Sequence, residues 1–256
     1  MKNSNRVRLI GATVATSLVA SLLPAVAVAQ DAPQEKTLCE AYEGQFDWGI
    51  RESFRTYILE GAAKGTMELQ GELGTNGVSD RTAEDFAFRF KPTGVKAVDG
   101  DTGVINLQGG LHFTGHGGVL DTTFSNFRLD IDGTAVKIVT DYTANKASSL
   151  DHNAEVTKVA ETNKVMAEYT LKAPVDFMAD AVDLGGSVPA LTADGRVMFN
   201  EAYKVGAKMD PVAGQLTCAK KAKPTDEVKP TESVPTTAPT VEKPTLPTES
   251  VPTTAP

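Results

Sequence analysis

Histidine, cysteine and tryptophan are scarce in this 256-residue sequence, which has three, two and one of them. Two cysteines with no CxxC spacing exclude a cysteine-built zinc or iron–sulfur centre. The chain also lacks a glycine-rich phosphate loop, an HExxH helix and a GxSxG elbow, so the common nucleotide, zinc-protease and serine-hydrolase signatures are missing. Carboxylates are plentiful, but no pair stands out, and no enzyme activity is assigned. Positive charge is short where the chain can fold. Residues 30–218 carry 17 Lys and Arg against 28 Asp and Glu, a net charge of −11. Phosphate contacts need clustered bases, so nucleic acid is excluded as a partner. A general attraction to anionic lipid is excluded on the same ground.

The two ends of the chain differ from the middle. Residues 1–29 begin with Lys2, Arg6 and Arg8, continue through an apolar run from about Leu9 to Val28, and close on Ala27-Val28-Ala29. That order is a signal peptide with a small-residue cleavage site, which gives an exported protein with no membrane span after removal. Residues 219–256 hold eight of the 14 prolines and nine threonines, and Pro-Thr-Glu-Ser-Val-Pro-Thr-Thr-Ala-Pro occurs twice, at 230–239 and 247–256. Such a segment has almost nothing apolar to bury and should be an extended, disordered Pro/Thr-rich tail, a spacer through a cell envelope or a solvated end. With no apolar stretch or sorting motif after the repeat, the expected location is secreted or envelope-associated. Cys39 and Cys218 lie near the two ends of the middle segment. In an exported chain an even pair favours a bridge over two buried thiols.

Residues 30–218 read as one mainly β domain, an antiparallel sheet or sandwich with one or two short helices. Asp47 and Gly61 bracket a helical pattern in which Ile50, Phe54, Tyr57 and Ile58 share a face. Alternation then predicts strands at Thr66–Leu73, Asp85–Lys91, Val104–Leu107, Leu111–Thr114, Thr122–Ile131, Val136–Asp141, Lys164–Leu171 and Gly195–Phe199. Val175–Leu184 reads as a short helix or a loop. Two histidines fall in Leu111-His112-Phe113-Thr114-Gly115-His116-Gly117-Gly118, where the glycines permit sharp turning and close backbone approach. If the strand ran unbroken, His112 and His116 would share a face. His152, in Asp151-His152-Asn153, reads as a loop residue.

Taken in order, the segments WGIRESFRTYI (48–58), FTGHGGVLD (113–121), ALTADG (190–195) and Phe199 to Tyr203, followed by Gly206 and Asp210-Pro211, carry a family resemblance. Over about 43–216 the chain resembles the HtaA-type haem-transport domain of actinobacteria, especially corynebacteria. The resemblance implies a mostly β domain in which the helix tyrosine, here Tyr57, ligates the iron of ferric haem b. It implies that His116 hydrogen-bonds that tyrosine, that Ser53 sits near a haem propionate, and that Tyr203 stands on the opposite wall. Phe54, Phe113 and Phe199 are candidate apolar wall residues. One departure is Ala202, where the family commonly has the first ring of an aromatic pair. The implied partners are haem, host haemoproteins and other relay proteins that feed a membrane transporter. A cell-wall adhesin on a Thr/Pro stalk is the alternative, but an adhesin has no chemical need for a Tyr57/His116 pair.

Overall fold

The computed structural model describes residues 37–222 apart from 152, so the expected leader and most of the expected tail lie outside the described residues, as does His152. In chain order the elements are β1 (Cys39–Trp48), α1 (Glu52–Leu59), β2 (Thr66–Gln70), β3 (Gly74–Thr75), β4 (Phe88–Phe90), β5 (Pro92–Ala97), β6 (Thr102–Leu107), β7 (Gly110–Gly115) and β8 (Leu120–Asp132). They continue with β9 (Ala135–Ala147), β10 (Val156–Thr170), β11 (Ala181–Asp183), β12 (Ala190–Leu191), α2 (Ala193–Met198) and β13 (Val212–Lys221). The domain is mainly antiparallel β. One sheet has the order β11-β13-β1-β4-β3, and the other runs β12-β10-β9-β8-β6-β5, with β2 paired to β7 and β7 to β8.

Period-2 alternation is the cause of most of these strands. Phe86, Phe88 and Phe90 are all buried, and so are Val136, Ile138, Tyr142 and Ala144 along β9. Both sheets send such side chains into one aromatic-rich core that includes Phe46, Trp48, Phe113 and Phe124. The long strands β8, β9 and β10 bend together. Asn126 and Asn163 take positive φ at register shifts in β8 and β10. Asp141 spans the bend by accepting from the Asn126 side-chain amide and the Asn163 backbone N–H, both at 2.7 Å. Bulges of this kind increase local twist and redirect the strand ends.

Cys39 and Cys218 form the disulfide, with their Cα atoms 5.8 Å apart on neighbouring strands β1 and β13. Closing so long a loop stabilises the fold by roughly 3–5 kcal/mol in the chain-entropy view. β13 continues to Lys221, past the boundary of 218 read from composition.

Two local expectations are corrected. Asp47 does not cap α1, because it lies in β1 and its carboxylate pairs with Arg89. The helix begins at Glu52, and its first N–H groups are served by Asp210, whose Oδ1 accepts from Glu52 N at 2.7 Å. Gly195–Phe199 is not a strand. Ala193–Met198 is helical because the Thr192 hydroxyl caps it, accepting from Gly195 N at 3.0 Å. Of the two alternatives for 175–184, the structure has the loop, which ends in β11 paired with β13.

Candidate functional site

α1 has only eight residues, too few to be stable through local propensity alone. Tertiary contacts hold it. Phe54, Arg55 and Ile58 are buried beneath it, while Ser53 and Tyr57, one turn apart, share the adjoining face. Arg55 is wholly buried and donates to the carbonyls of Gly49, Arg81 and Ala83 and to the Asp210 carboxylate. Asp210 thus neutralises Arg55 and caps the helix at once. Its own backbone is fixed as well: its carbonyl accepts from the Trp48 indole at 3.1 Å, and its N–H donates to Ile50 O at 2.9 Å.

The second half of the site is the β7–β8 hairpin. β7 ends at Gly115, and His116, Gly117 and Gly118 turn with φ of 52°, 65° and 98°. Glycine accepts those angles at no steric cost, and His116 is the residue that bears the strain. Two backbone contacts hold the turn against the end of α1. His116 N donates to Ala63 O at 2.8 Å. Gly65 lies so close to β7 that a Cβ there would sit 1.7 Å from Thr114 O. The result is a direct hydrogen bond between the Tyr57 hydroxyl and His116 Nε2, with the ring centroids 5.8 Å apart. Burial pushes the Tyr57 phenol above its ordinary value of 10.0, and nearby Tyr203 adds to the effect. The neutral phenol is therefore the resting form, and only a strong Lewis acid at the oxygen would favour the phenolate.

Tyr57 forms part of the wall of a cavity of about 400 Å³, within the usual range for small-molecule sites. α1 contributes Ser53 and Phe54. The start of β8 contributes Val119, Leu120 and Thr122, and the end of β9 contributes Ala144 to Ala147. Leu150 and, from the α2 region, Val197 to Asn200, Ala202 and Tyr203 complete it. Among the described residues no carboxylate lines this cavity. Of the residues picked from sequence, Ser53, Phe54, Tyr57, Phe199 and Tyr203 line it, and His116 reaches it through Tyr57. Phe113 stands behind the wall: it is fully buried, with its ring 5.0 Å from that of Phe54. His112 is separate from His116, because the strand stops between them. It pairs instead with Asp121 at 2.9 Å and Glu68 at 3.6 Å.

Ala202 lines the cavity without a ring of its own. Tyr203 is held by other means. The Arg51 guanidinium lies 4.3 Å from its ring centroid, and Phe199 meets it edge-on at 5.7 Å. The contributions of β8 and β9 were not anticipated. The available signal was the alternation Tyr142, Ala144, Lys146, which continues past the predicted end of the strand at Asp141. Among the described residues no three His, Cys, Asp or Glu side chains converge on a metal position. A phenol and an imidazole on an apolar wall suit an iron that arrives already chelated by its own macrocycle. Removing the imidazole tests the pair. If the pair meets haem, His116→Ala should weaken haem binding by about 10–100-fold, as loss of an outer-shell partner does, while Tyr57 stays in place. Equal affinities in an absorbance titration would show the hydrogen bond to be incidental.

The fold and site together define a class: an antiparallel β domain that offers a tyrosine–histidine pair to a largely apolar cavity. Residues 43–215 match the HtaA family model (Htaa). The chain belongs to that family. It is similar to the N-terminal domain of HtaA from Corynebacterium glutamicum, with 30% identity over 70% of this chain and 98% of that one, TM-score 0.64. It is also similar to the C-terminal domain of HtaA from the same organism, with 25% identity over 70% and 98% of the two chains, TM-score 0.56. The heme binding protein HtaB of that organism shares the fold, with 24% identity over 70% and 96%, TM-score 0.59. A comparison with curated proteins finds no match.

Proposed function

We propose that this chain is an exported haem carrier that takes up ferric haem b in the cavity beside α1 and passes it on in haem-iron acquisition. The observation that carries the reading is the Tyr57–His116 hydrogen bond at the wall of a cavity with no carboxylate among the described residues that line it. Membership of the HtaA family supports it. When bound, the group supplies a hard Fe(III) centre that strongly prefers an anionic oxygen ligand. Tyr57 would provide that oxygen. The neutral phenol can donate to His116 Nε2 or accept from Nε2–H according to the tautomer, and as a phenolate it would accept from Nε2–H, so the same pair holds either state. Phe54, Phe199 and Tyr203 would bury the macrocycle, and Ser53 would serve a propionate.

A tyrosinate ligand disfavours Fe(II), which suits a carrier outside the cell with no need to bind oxygen. Ligation from one wall leaves the other side open for transfer. The roles that follow are those of a binding protein: capture from the surroundings or from host haemoproteins, then release toward relay proteins and a membrane transporter, with no cleavage of the ring. Among the described residues no helix is long and apolar enough to cross a membrane. A hemin titration of the mature chain, followed at the Soret band, tests the reading. Saturation at one hemin per chain is expected. Linear, unsaturable uptake would contradict it.

A further inference from the structure

Among the described residues that line the cavity, Lys146 is the one cation. Its position follows from register. Along β9, Tyr142 and Ala144 pair with Phe124 and Thr122 of β8, and all four side chains are buried. Two residues further on, Lys146 occupies the same face of the strand. An inward-facing position at the end of such a column ordinarily carries an apolar residue. Lys146 instead places an ammonium at the exposed end, where the cavity opens. It makes no ion pair with any described residue, although the segment around it has a net charge of −11. Asn145 next to it is tied down, donating to Gly118 O at 3.1 Å, so the end of β9 is fixed against the His116 turn.

We infer that Lys146 reads the carboxylate substituents of the ligand. Its ammonium pairs with a propionate at the cavity mouth and so sets which edge of the macrocycle faces outward. The inference rests on the haem reading above. An apolar interior with an ammonium at the rim favours an amphiphilic anion over a neutral ring of the same shape. It also gives a strongly acidic domain a local point of attraction that its net charge does not provide.

The test compares hemin with hemin dimethyl ester, which keeps the iron and the ring but has no carboxylates. Both are titrated into the full mature chain and into its Lys146→Met, Lys146→Glu and Lys146→Arg variants. An exposed pair of this kind is worth a modest factor, so unmodified chain should prefer hemin over the ester by about two- to fivefold. Lys146→Met should reduce the preference to the part that Ser53 supplies, Lys146→Glu should lower it further, and Lys146→Arg should retain it. The same hemin-to-ester ratio in unmodified chain and Lys146→Met, with the haem spectrum intact, would overturn the role of Lys146 and leave the haem reading standing. Absence of saturable binding of either compound to unmodified chain would instead overturn the haem reading, and this inference with it.

Discussion

Tyr57→Phe is expected to leave the domain folded and to remove most of its affinity for ferric haem. The substitution deletes one oxygen and keeps the ring that packs at the cavity wall. If that oxygen ligates the iron, the loss should exceed the roughly 10–100-fold typical of an outer-shell change. The Soret band should weaken and shift, and the charge-transfer features of a tyrosinate complex should disappear. His116 would then be the nearest remaining donor, so residual binding should acquire the character of an imidazole complex. Removing His116 as well should abolish that residue of binding. Unchanged affinity and spectrum in Tyr57→Phe would mean that the oxygen does not touch the iron.

Arg55→Met should produce the largest loss of stability. Arg55 is fully buried, and Asp210 is 8% exposed. Removing the guanidinium leaves a buried carboxylate without its counter-charge and the carbonyls of Gly49 and Arg81 without this donor, while Ala83 O keeps only Phe86 N. Breaking one side of such a pair costs about 3–5 kcal/mol. For a domain of this size that lowers Tm by on the order of 10 °C. Asp210→Ala should cost a similar amount, since it also removes the cap on Glu52 N. The double variant should be less destabilised than the sum of the two, because the charges and the cap act through one network. Thermal unfolding of the four proteins measures this directly. Additive losses, or midpoints equal to that of unmodified chain, would show that the pair does not hold α1. Both single variants should also bind haem more weakly through the displaced helix, but without the change of ligand spectrum expected of Tyr57→Phe.

The sequence made some of this architecture legible and hid the rest for identifiable reasons. The Phe86/Phe88/Phe90 alternation and the runs that became β6 to β9 declare themselves, because one face of each is buried and the other is solvated. β1 does not. Its ten residues, CEAYEGQFDW, mix acids with apolar side chains and include Gly44 at φ 126°. Its main partner is β13, at the far end of the domain. Pairing between distant segments leaves no local trace. α2 was misread because Val197, Met198 and Phe199 look like a strand end. The Thr192 cap was the contrary signal. So was Gly195, where a Cβ would lie 2.1 Å from Met166 O, showing how tightly the helix packs on β10.

The site was legible where one element carries its chemistry. Helical spacing puts Ser53 and Tyr57 on one face and the glycines after His116 mark a turn, but that these residues form a site is what the family resemblance implies. The roles of Arg55 and Asp210 were hidden, because a buried ion pair looks like two ordinary charges until the fold brings its halves together. Lys146 was hidden for a related reason: its meaning depends on the face of β9 that it occupies, and that face is set by pairing with β8.

The most direct measurement is resonance Raman spectroscopy of the ferric haem complex, prepared with ordinary and with ring-deuterated tyrosine. Iron-bound tyrosinate modes that shift on deuteration, and that are absent from Tyr57→Phe, are the expected result. A complex whose bands are insensitive to tyrosine labelling, or that show only axial imidazole, would contradict ligation by Tyr57.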